Sequence, residues 1–271
     1  MSLLLHLSDT HFGTEQAPVV AALQALARER RPDVLVFSGD VTQRARADQF
    51  AAAGRFCESL GIARRLVLPG NHDIPVFNLA ARLWQPYAGY RKVFGASLEP
   101  VIDTAGLLVI GVNTTRPARH KNGEVSLRQV SQVAHRLQGA RPDQLRVVVT
   151  HQPAAVARVQ DEHDRLRGAE AALQAWSRAG ADLVLGGHIH LPYVLDLRTL
   201  PAPVPRAMWC VQAGTAVSAR VRHGSANSVN LVHWSATRPG EPRNCCIERC
   251  DYDAGRESFA TATRQVLELA S

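Results

Sequence analysis

The stretch Gly70-Asn71-His72-Asp73 directly follows the apolar run Leu66-Val67-Leu68-Pro69. The apolar run is typical of a buried strand, and the polar residues after it are typical of a loop at the carboxyl end of that strand. In α/β folds, ligands bind at this edge of the sheet. A single polar loop is often only a turn, so the prediction of a site depends on further clusters of the same kind.

Four other polar clusters also follow short β-like runs. They are Asp9-Thr10-His11, Gly39-Asp40, His151 and Gly186-Gly187-His188-Ile189-His190. One Asp-x-His or His-x-His by itself is more often incidental than a metal site. Five clusters at strand ends in one chain, however, offer enough oxygen and imidazole ligands for two metal ions.

The composition is that of one large globular domain. The chain has 271 residues, of which 46% are apolar, and these can bury a sizeable core. No apolar run reaches the ~18 residues of a membrane span, and residues 1–9 lack the basic leader and cleavage site of a signal peptide. Five cysteines without a Cys-x-x-Cys spacing favour reduced thiols. We therefore expect a cytoplasmic protein that does not contact a membrane.

The formal net charge of +7 is compatible with nucleic-acid binding. The arginines are scattered along the chain, however, and only Lys92 and Lys121 are lysines. A solvated basic surface explains this distribution better than a nucleic-acid footprint does. Nucleic acid is therefore kept only as an alternative partner.

Strand and helix patterns alternate along the first two thirds of the chain, which predicts an α/β layered fold. Helices are expected at residues 17–30, 46–60, 126–137 and 168–178. A further helical stretch at residues 75–90 predicts a core-facing surface, because aromatic and apolar side chains recur along it. Those side chains are Phe77, Leu83, Trp84, Tyr87 and Tyr90.

Beyond His190 the pattern changes to short strands separated by turn residues, which predicts a second, more antiparallel sheet. The strands are expected at residues 193–197, 208–213, 229–234 and 244–250, with a final helix at about 256–270. No linker or repeat divides the chain, so we expect a single domain over residues 1–271. Its metal-ligand motifs lie within residues 9–190, and residues 191–271 are expected to complete the second sheet.

The spacing within the clusters suits shared metal ions. Residues two apart on an extended strand end point the same way, so Asp9 and His11 can share one ion. His188 and His190 can face the same centre for the same reason. Together these four side chains would line one edge of the sheet.

The remaining clusters supply ligands of other kinds. Asp40 offers a carboxylate that can bridge two cations ~3.5–4 Å apart. Asn71 offers an amide oxygen, and His151 offers a further imidazole. Because no thiolate is among them, this set suits Mn, Fe or Zn better than copper or an iron–sulfur cluster.

The charge of such a site favours phosphate esters. Two divalent ions, the carboxylates of Asp9 and Asp40 and one hydroxide leave a net charge of about +1, which attracts a phosphate anion. Metal-bound water is acidified towards a pKa of ~7 and becomes a nucleophile at neutral pH. His72, next to Asn71, is the spare imidazole that could hold a phosphoryl oxygen or protonate the leaving alkoxide.

These motifs resemble, in kind and in order, those of the calcineurin-like metallophosphoesterase superfamily, from about Leu3 to His190. The motifs are Asp9-x-His11, Gly39-Asp40, Gly70-Asn71-His72-Asp73, His151 and Gly187-His188-x-His190. The resemblance implies a four-layer α/β/β/α sandwich, in which two mixed sheets are flanked by helices. It implies that one metal is held by Asp9, His11, Asp40 and His190, and the other by Asp40, Asn71, His151 and His188. It also implies that His72 is catalytic and that Asp73 orients it.

Within the superfamily, the chain is most similar to bacterial class III cyclic nucleotide phosphodiesterases. The similar features are Leu7-Ser8-Asp9-Thr10-His11, Gly39-Asp40-Val41-Thr42 and Ala213-Gly214-Thr215 followed by Arg220 and Arg222. The likeness places both arginines near the substrate. The chain departs from the family's His-His-Pro pattern at His151-Gln152-Pro153, which removes one imidazole near the site.

The leading hypothesis is a phosphodiesterase with two divalent ions, manganese before iron or zinc, that hydrolyses a small nucleotide-like diester through a metal-bridging hydroxide. The alternative is a metal-dependent nuclease acting on DNA or RNA, suggested by the charge. Nucleases of this superfamily usually carry an extra binding domain, whereas residues 191–271 look like core strands. A non-catalytic scaffold is the third hypothesis, and the presence of His72 with seven metal-binding side chains argues against it. The substrate and the oligomeric state, including a homodimer, stay open.

Overall fold

The computed structural model describes residues 1–236 and 241–270. The strands in these ranges are β1 (Ser2–Leu7), β2 (Val34–Phe37), β3 (Arg64–Val67), β4 (Val101–Asp103), β5 (Leu107–Gly111), β6 (Leu145–Val149), β7 (Leu183–Gly186), β8 (Tyr193–Asp196), β9 (Trp209–Gln212), β10 (Ser228–Trp234), β11 (Asn244–Asp253) and β12 (Ser258–Glu268). The α-helices are α1 (Ala17–Arg30), α2 (Ala47–Ser59), α3 (Leu79–Trp84), α4 (Ala88–Phe94), α5 (Leu127–Gln138) and α6 (Ala169–Arg178).

The strands form two mixed sheets. In the described part of the chain, the first sheet has the order β12-β11-β10-β1-β2-β3. Its β1, β2 and β3 are parallel, whereas β10, β11 and β12 run antiparallel to their neighbours. The second sheet has the order β4-β5-β6-β7-β9-β8, with a parallel centre and an antiparallel strand at each edge.

The side chains of β1 show how the layers pack. Leu3, Leu5 and Leu7 belong to a buried cluster that includes residues of α1 and α2, whereas Leu4 belongs to a cluster between the two sheets. This division follows from the period of two along a strand. A third cluster lies between the second sheet and helices α5 and α6. The predicted α/β/β/α sandwich is thereby confirmed.

Four predicted helices match the structure to within one or two residues, as α1, α2, α5 and α6. Ser126 begins α5 with a capping box. Its hydroxyl accepts from the N–H of Gln129, and the Gln129 side chain accepts from the N–H of Ser126. Across the described ranges, a helix able to span a bilayer is not found.

The predicted final helix at residues 256–270 is wrong. This segment is the strand β12, which pairs antiparallel with β11. Its alanines and Gln265 favour a helix locally, but an extended chain gives the backbone of β11 a hydrogen-bonding partner along its length. Thr261 and Arg264 also donate to the buried Glu248 of β11. Tertiary pairing therefore overrides the local preference.

The prediction that residues 191–271 complete the second sheet is also wrong. Of the strands described after residue 190, β8 and β9 join that sheet, whereas β10, β11 and β12 extend the first sheet from the edge of β1. Without β10, buried N–H and C=O groups of β1 would lack partners. The chain therefore passes from one sheet to the other over residues 213–227, which we call the crossing segment.

The apolar residues of the predicted 75–90 helix divide between core and surface. The segment forms α3 and α4, and the prediction of a core-facing surface is wrong for its first half. Tyr87 and Tyr90 are buried, whereas Phe77, Leu83 and Trp84 are 75–81% exposed. The inward contact of α3 is polar, because the guanidinium of Arg82 donates to two main-chain carbonyls. Its apolar side chains are therefore left facing solvent.

A buried ion pair joins β11 to the second sheet. The guanidinium of Arg243 donates to both carboxylate oxygens of Asp182, at 2.9 Å each. The Asp182 side chain is 1% exposed and also accepts from the N–H of Arg146. The pair lies next to the end of β12, because Arg243 also donates to the main-chain carbonyl of Ala270.

We expect Arg243→Ala to lower the free energy of unfolding by about 3–5 kcal/mol, because it leaves the Asp182 carboxylate buried without its partner. Urea unfolding followed by circular dichroism measures the change. Arg256→Ala is the matched control, since it removes an exposed pair with Asp253 and should cost less than about 1 kcal/mol. Equal losses in the two variants would contradict the role given to the buried pair.

Candidate metal centre

Five loops meet at one edge of the sandwich. Three follow the parallel strands β1, β2 and β3, and two follow β6 and β7 of the other sheet. The N–H of Asp9 donates to the carbonyl of Gly39 at 3.0 Å, which joins the first two loops. His151 Nδ1–H donates to the carbonyl of Ser38 at 2.9 Å, which joins the two sheets. The polar side chains of both sheets therefore share one small volume.

Two glycines allow this close approach. A Cβ at Gly70 would collide with the main-chain nitrogen and Oδ1 of Asp40, and a Cβ at Gly187 would collide with the side chains of Ser8 and Asp9. Glycine is therefore required at the start of the stretch Gly70–Asp73 by its neighbours and not by its own φ, which is −99°. The loops pack as tightly as the backbone permits.

Five of the predicted ligands have left-handed backbone conformations. The φ values are 54° for Asp9, 42° for His11, 50° for Asp40, 74° for His188 and 58° for His190. Among the described non-glycine residues, eight have positive φ, so most of this strain lies in the site. The prediction that Asp9 and His11 point the same way because they lie on an extended strand end is wrong in its reason, since neither residue is extended. Left-handed turns direct the two side chains to the same centre.

The first cluster contains Asp9, His11 and His190. The Nε2 atoms of the two histidines are 3.2 Å apart, and they lie 3.7 and 3.3 Å from Asp9 Oδ1. Ligand atoms that share one divalent ion at about 2.1 Å are about 3.0–3.4 Å apart. Two of the three distances lie in this range and the third, from His11 to Asp9, is slightly longer, so the three side chains could share one cation.

The second cluster contains Asp40, His151 and His188, with Asn71 beside them. His151 Nε2 lies 3.2 Å from Asp40 Oδ1 and 3.2 Å from Asn71 Oδ1. The rings of His151 and His188 are 5.1 Å apart and nearly perpendicular. This group could hold a second cation with the oxygen and imidazole ligands that the sequence predicts.

Asp40 lies between the two clusters. Its Oδ2 is 3.7 Å from His11 Nε2, and its Oδ1 is 3.2 Å from His151 Nε2. Two buried atoms nearby, Asp9 Oδ1 and His188 Nε2, accept or donate no hydrogen bond within the described residues. Buried polar atoms without partners are costly, so this donor set fits divalent cations well.

The protonation of the histidines supports the same interpretation. Burial lowers the pKa of His11 to about 3, so this ring is neutral and offers a lone pair. Burial also acts against a charge on His151, but the carboxylate of Asp40 outweighs it and raises the pKa of His151 to about 9. A cation bound here would compete with that proton for the same nitrogen.

His72 lies beside the clusters and has other partners. Its Nδ1–H donates to the carbonyl of Gln43 at 2.9 Å, and its ring stands edge-on to His11 at 4.7 Å between centroids. The side chain also lies within reach of His11 and Asp40 as a possible third group of ligands. The bond to Gln43 occupies Nδ1, while Nε2 faces the guanidinium of Arg220.

Asp73 does not occupy the position predicted for it. Its carboxylate accepts from the N–H groups of Val41, Thr42 and Gly70 and from the Thr42 hydroxyl, at 2.8–3.0 Å. The imidazole of His72 is instead held by Gln43. Asp73 therefore joins the loops after β2 and β3, and its effect on His72 is indirect.

The two predicted arginines lie on the crossing segment but have different partners. Arg220 Nη1 is 3.1 Å from His72 Nε2 and donates to Gln43 Oε1 at 3.0 Å. Arg222 Nη2 donates to Asp161 Oδ1 at 2.8 Å. Of the two, Arg220 therefore places its guanidinium beside His72, whereas Arg222 is paired with Asp161. The two guanidinium groups are held apart because Arg220 contacts His72 and Gln43 while Arg222 binds Asp161. That both lie near the substrate stays a prediction.

Sequence reasoning missed two acidic residues of the short 3-10 turn Val159–Asp164. Asp161 binds Arg222, and Asp164 Oδ1 lies 3.8 Å from His188 Nε2 and 2.6 Å from Lys121 Nζ. Both aspartates are buried. The only signal in the sequence was a polar, acidic run in the loop after β6, which is also typical of an exposed loop.

Comparisons with known proteins identify the family of this chain. The family model described as calcineurin-like phosphoesterase matches residues 3–192. A protein of Rhodococcus erythropolis named "probable cyclic nucleotide phosphodiesterase" is 27% identical over 255 residues, which cover 85% of this chain and 79% of that protein. A glycerophosphodiester phosphodiesterase of Enterobacter lignolyticus is 34% identical over 84 residues, 26% of this chain and 29% of that protein.

Two solved structures with similar folds are phosphatases. A purple acid phosphatase from yellow lupin has a TM-score of 0.74 at 11% identity and covers 98% of this chain. The match spans about half of the lupin chain, 53%. A dimetal phosphatase from Danio rerio has a TM-score of 0.68 at 11% identity and covers 99% of each chain. At these identities the likeness concerns the fold alone.

We expect Asp40→Ala to lower metal content at both clusters, because its two oxygens face both. Asn71→Ala removes one neutral ligand and should empty mainly the cluster of His151 and His188. Metal per chain, measured by mass spectrometry after dialysis against Mn²⁺, distinguishes the variants. Asp48→Ala, which alters an exposed carboxylate of α2, should keep the wild-type content. Full and equal occupancy in the Asp40 and Asn71 variants would refute the shared role of Asp40.

Proposed function

This chain belongs to the calcineurin-like phosphoesterase family and is a metal-dependent phosphoesterase, and we propose that its substrate is a small nucleotide-like phosphodiester. The observation that carries the proposal is Asp40, whose oxygens face two clusters of buried histidines beside an imidazole with other partners. The name of the Rhodococcus erythropolis relative supports a cyclic nucleotide as the diester. A cytoplasmic location, expected from the sequence, stays part of the proposal.

The proposed ligands follow the two clusters. One ion would be held by Asp9, His11 and His190, and the other by Asn71, His151 and His188. Asp40 would contact both ions. When bound, two divalent ions supply positive charge for the phosphate and an activated water as nucleophile. Manganese is the proposed metal, because carboxylate, amide and imidazole ligands without thiolate suit it.

His72 is proposed as the general acid. Hydrolysis adds water to phosphorus and breaks one P–O ester bond, so the leaving oxygen must gain a proton. Because Nδ1–H of His72 is bound to the carbonyl of Gln43, the imidazolium form of His72 would present its second N–H, at Nε2, to the leaving oxygen in place of the guanidinium of Arg220. An acyclic diester gives a phosphomonoester and an alcohol, and a cyclic nucleotide gives one product that carries both the monoester and the new hydroxyl; no other reactant is needed.

Arg220 is proposed to bind a phosphoryl oxygen. Its guanidinium lies 3.1 Å from His72 Nε2, so both groups can meet the same phosphate. Arg222 is engaged by Asp161, and we propose that this pair holds the crossing segment in place. Asp73 is likewise proposed as a positioning residue, because it fixes the loop that carries Asn71 and His72.

The proposal is tested by a side-by-side assay with added Mn²⁺. The substrates are a nitrophenyl diester, the matching monoester, 2′,3′- and 3′,5′-cyclic nucleotides, and single-stranded DNA. We expect the diesters to react faster than the monoester and DNA, with activity lost on chelation and restored by Mn²⁺. Undiminished activity in excess chelator would refute metal dependence, and faster cleavage of DNA would favour a nuclease.

His72→Ala should separate proton donation from metal binding. Both metals should remain, while hydrolysis of a cyclic nucleotide falls by ~10²–10⁴-fold, since its alkoxide leaving group needs a proton. The nitrophenyl diester should lose far less, because nitrophenolate is already a stable anion. Metal analysis and kcat for both substrates measure this. Equal losses would show that His72 binds the phosphoryl group, and a metal-free variant would show that it is a ligand.

A further inference from the structure

A small cavity opens beside His72. Its volume is about 170 Å³, and its walls include Asn71, His72, Arg44, Val76, Phe77 and His120. Cavities that enclose a whole drug-sized ligand measure roughly 300–1,000 Å³. This cavity is therefore large enough for one group of a substrate, such as a ring system, and not for a whole nucleotide.

The outer wall is unusual for a surface loop. Phe77 is 80% exposed, and the guanidinium carbon of Arg44 lies 5.4 Å from the centroid of its ring. Such a cation–π contact at an exposed site modestly favours this position of the phenyl group. Together with the imidazole of His120, the wall presents flat side chains, which stack on aromatic rings.

We propose that this cavity binds the base of the nucleoside whose ribose carries the leaving oxygen. The inference rests on the proposed phosphodiesterase function and adds its substrate selectivity. The position of His72 determines which part of the substrate reaches the cavity. The leaving oxygen must face His72 to receive its proton, and the cavity lies beside His72. The phosphate then lies at the clusters, and the ring lies against Phe77.

The size of the cavity also sets the selectivity. A diester whose leaving group lacks a ring would reach the metal clusters and His72 but leave the wall of Phe77 and Arg44 uncovered. Burial and stacking of the ring would then be lost, while contacts to the phosphate remain. For diesters that carry an aromatic base, we therefore expect replacement of Phe77 to change KM more than kcat.

Two cyclic diesters test the inference, namely 2′,3′-cyclic AMP and ethylene phosphate, which has the same phosphate ring without the nucleoside. Phe77→Ala should lower kcat/KM for cyclic AMP by about fivefold to a hundredfold, the usual loss when an aromatic stacking partner is removed. The loss for ethylene phosphate should be at least fivefold smaller. Phe77→Trp should restore most of the activity on cyclic AMP, because it keeps an aromatic face.

Trp84→Ala is the matched control. Trp84 is an aromatic residue of the same segment, 81% exposed, and lies outside the cavity wall. It should leave kcat/KM for both substrates unchanged. Equal losses for both substrates in Phe77→Ala, or no loss for either, would overturn the inference.

A binding measurement separates failure of this inference from failure of the proposed function. Calorimetry on Mn²⁺-loaded protein compares AMP with inorganic phosphate. Phe77→Ala should weaken the binding of AMP by at least fivefold and the binding of phosphate by less. This result does not depend on whether the wild type hydrolyses either diester. Equal affinities in wild type and variant would overturn the cavity assignment. So would ultracentrifugation showing that Phe77→Ala and Trp84→Ala both dissociate a dimer, since that face would then bind a second copy.

Discussion

Two buried carboxylates, Asp9 and Asp40, set the condition that the surrounding structure has to meet. Their exposures are 0% and 1%, and an ionised carboxylate is costly to bury without compensating charge and hydrogen bonds. Main-chain N–H groups of His188 and His72 donate to them at 2.9 Å. His188 belongs to the second sheet and His72 to the first. Asp9 therefore gains its main-chain donor from His188 only when the two sheets have packed together, which couples formation of the site to formation of the sandwich.

The crossing segment extends this coupling to the reacting groups. His190 Nδ1–H donates to the main-chain carbonyl of Arg220, while the guanidinium of Arg220 reaches His72. One residue thus contacts a proposed metal ligand through its backbone and the proposed acid through its side chain. The path of the chain from β9 to β10 explains this arrangement, since it must pass over the loop edge to reach the first sheet. The unexpected strand order and the position of Arg220 have the same cause.

What could be predicted from the sequence depended on signals that are local. Polar clusters after apolar runs located Asp9, Asp40 and His151, because strand ends of parallel sheets meet at one edge. The left-handed backbone of Asp9 could not be predicted, since no propensity of aspartate requires it. β12 was missed because its pairing with β11 is a tertiary effect. The exposure of Phe77 was missed for a similar reason, since the apolar pattern of residues 75–90 does not show which side faces the protein.

The left-handed conformations of five proposed ligands make the site a compromise between stability and activity. Strain of this kind costs of order 1–3 kcal/mol at each residue. Glycine would relieve it best, but glycine offers no ligand. Selection of this chain for thermal stability alone would therefore work against its proposed ligands. The backbone thus makes loss of activity an easy evolutionary step, against which only selection for function protects the chain.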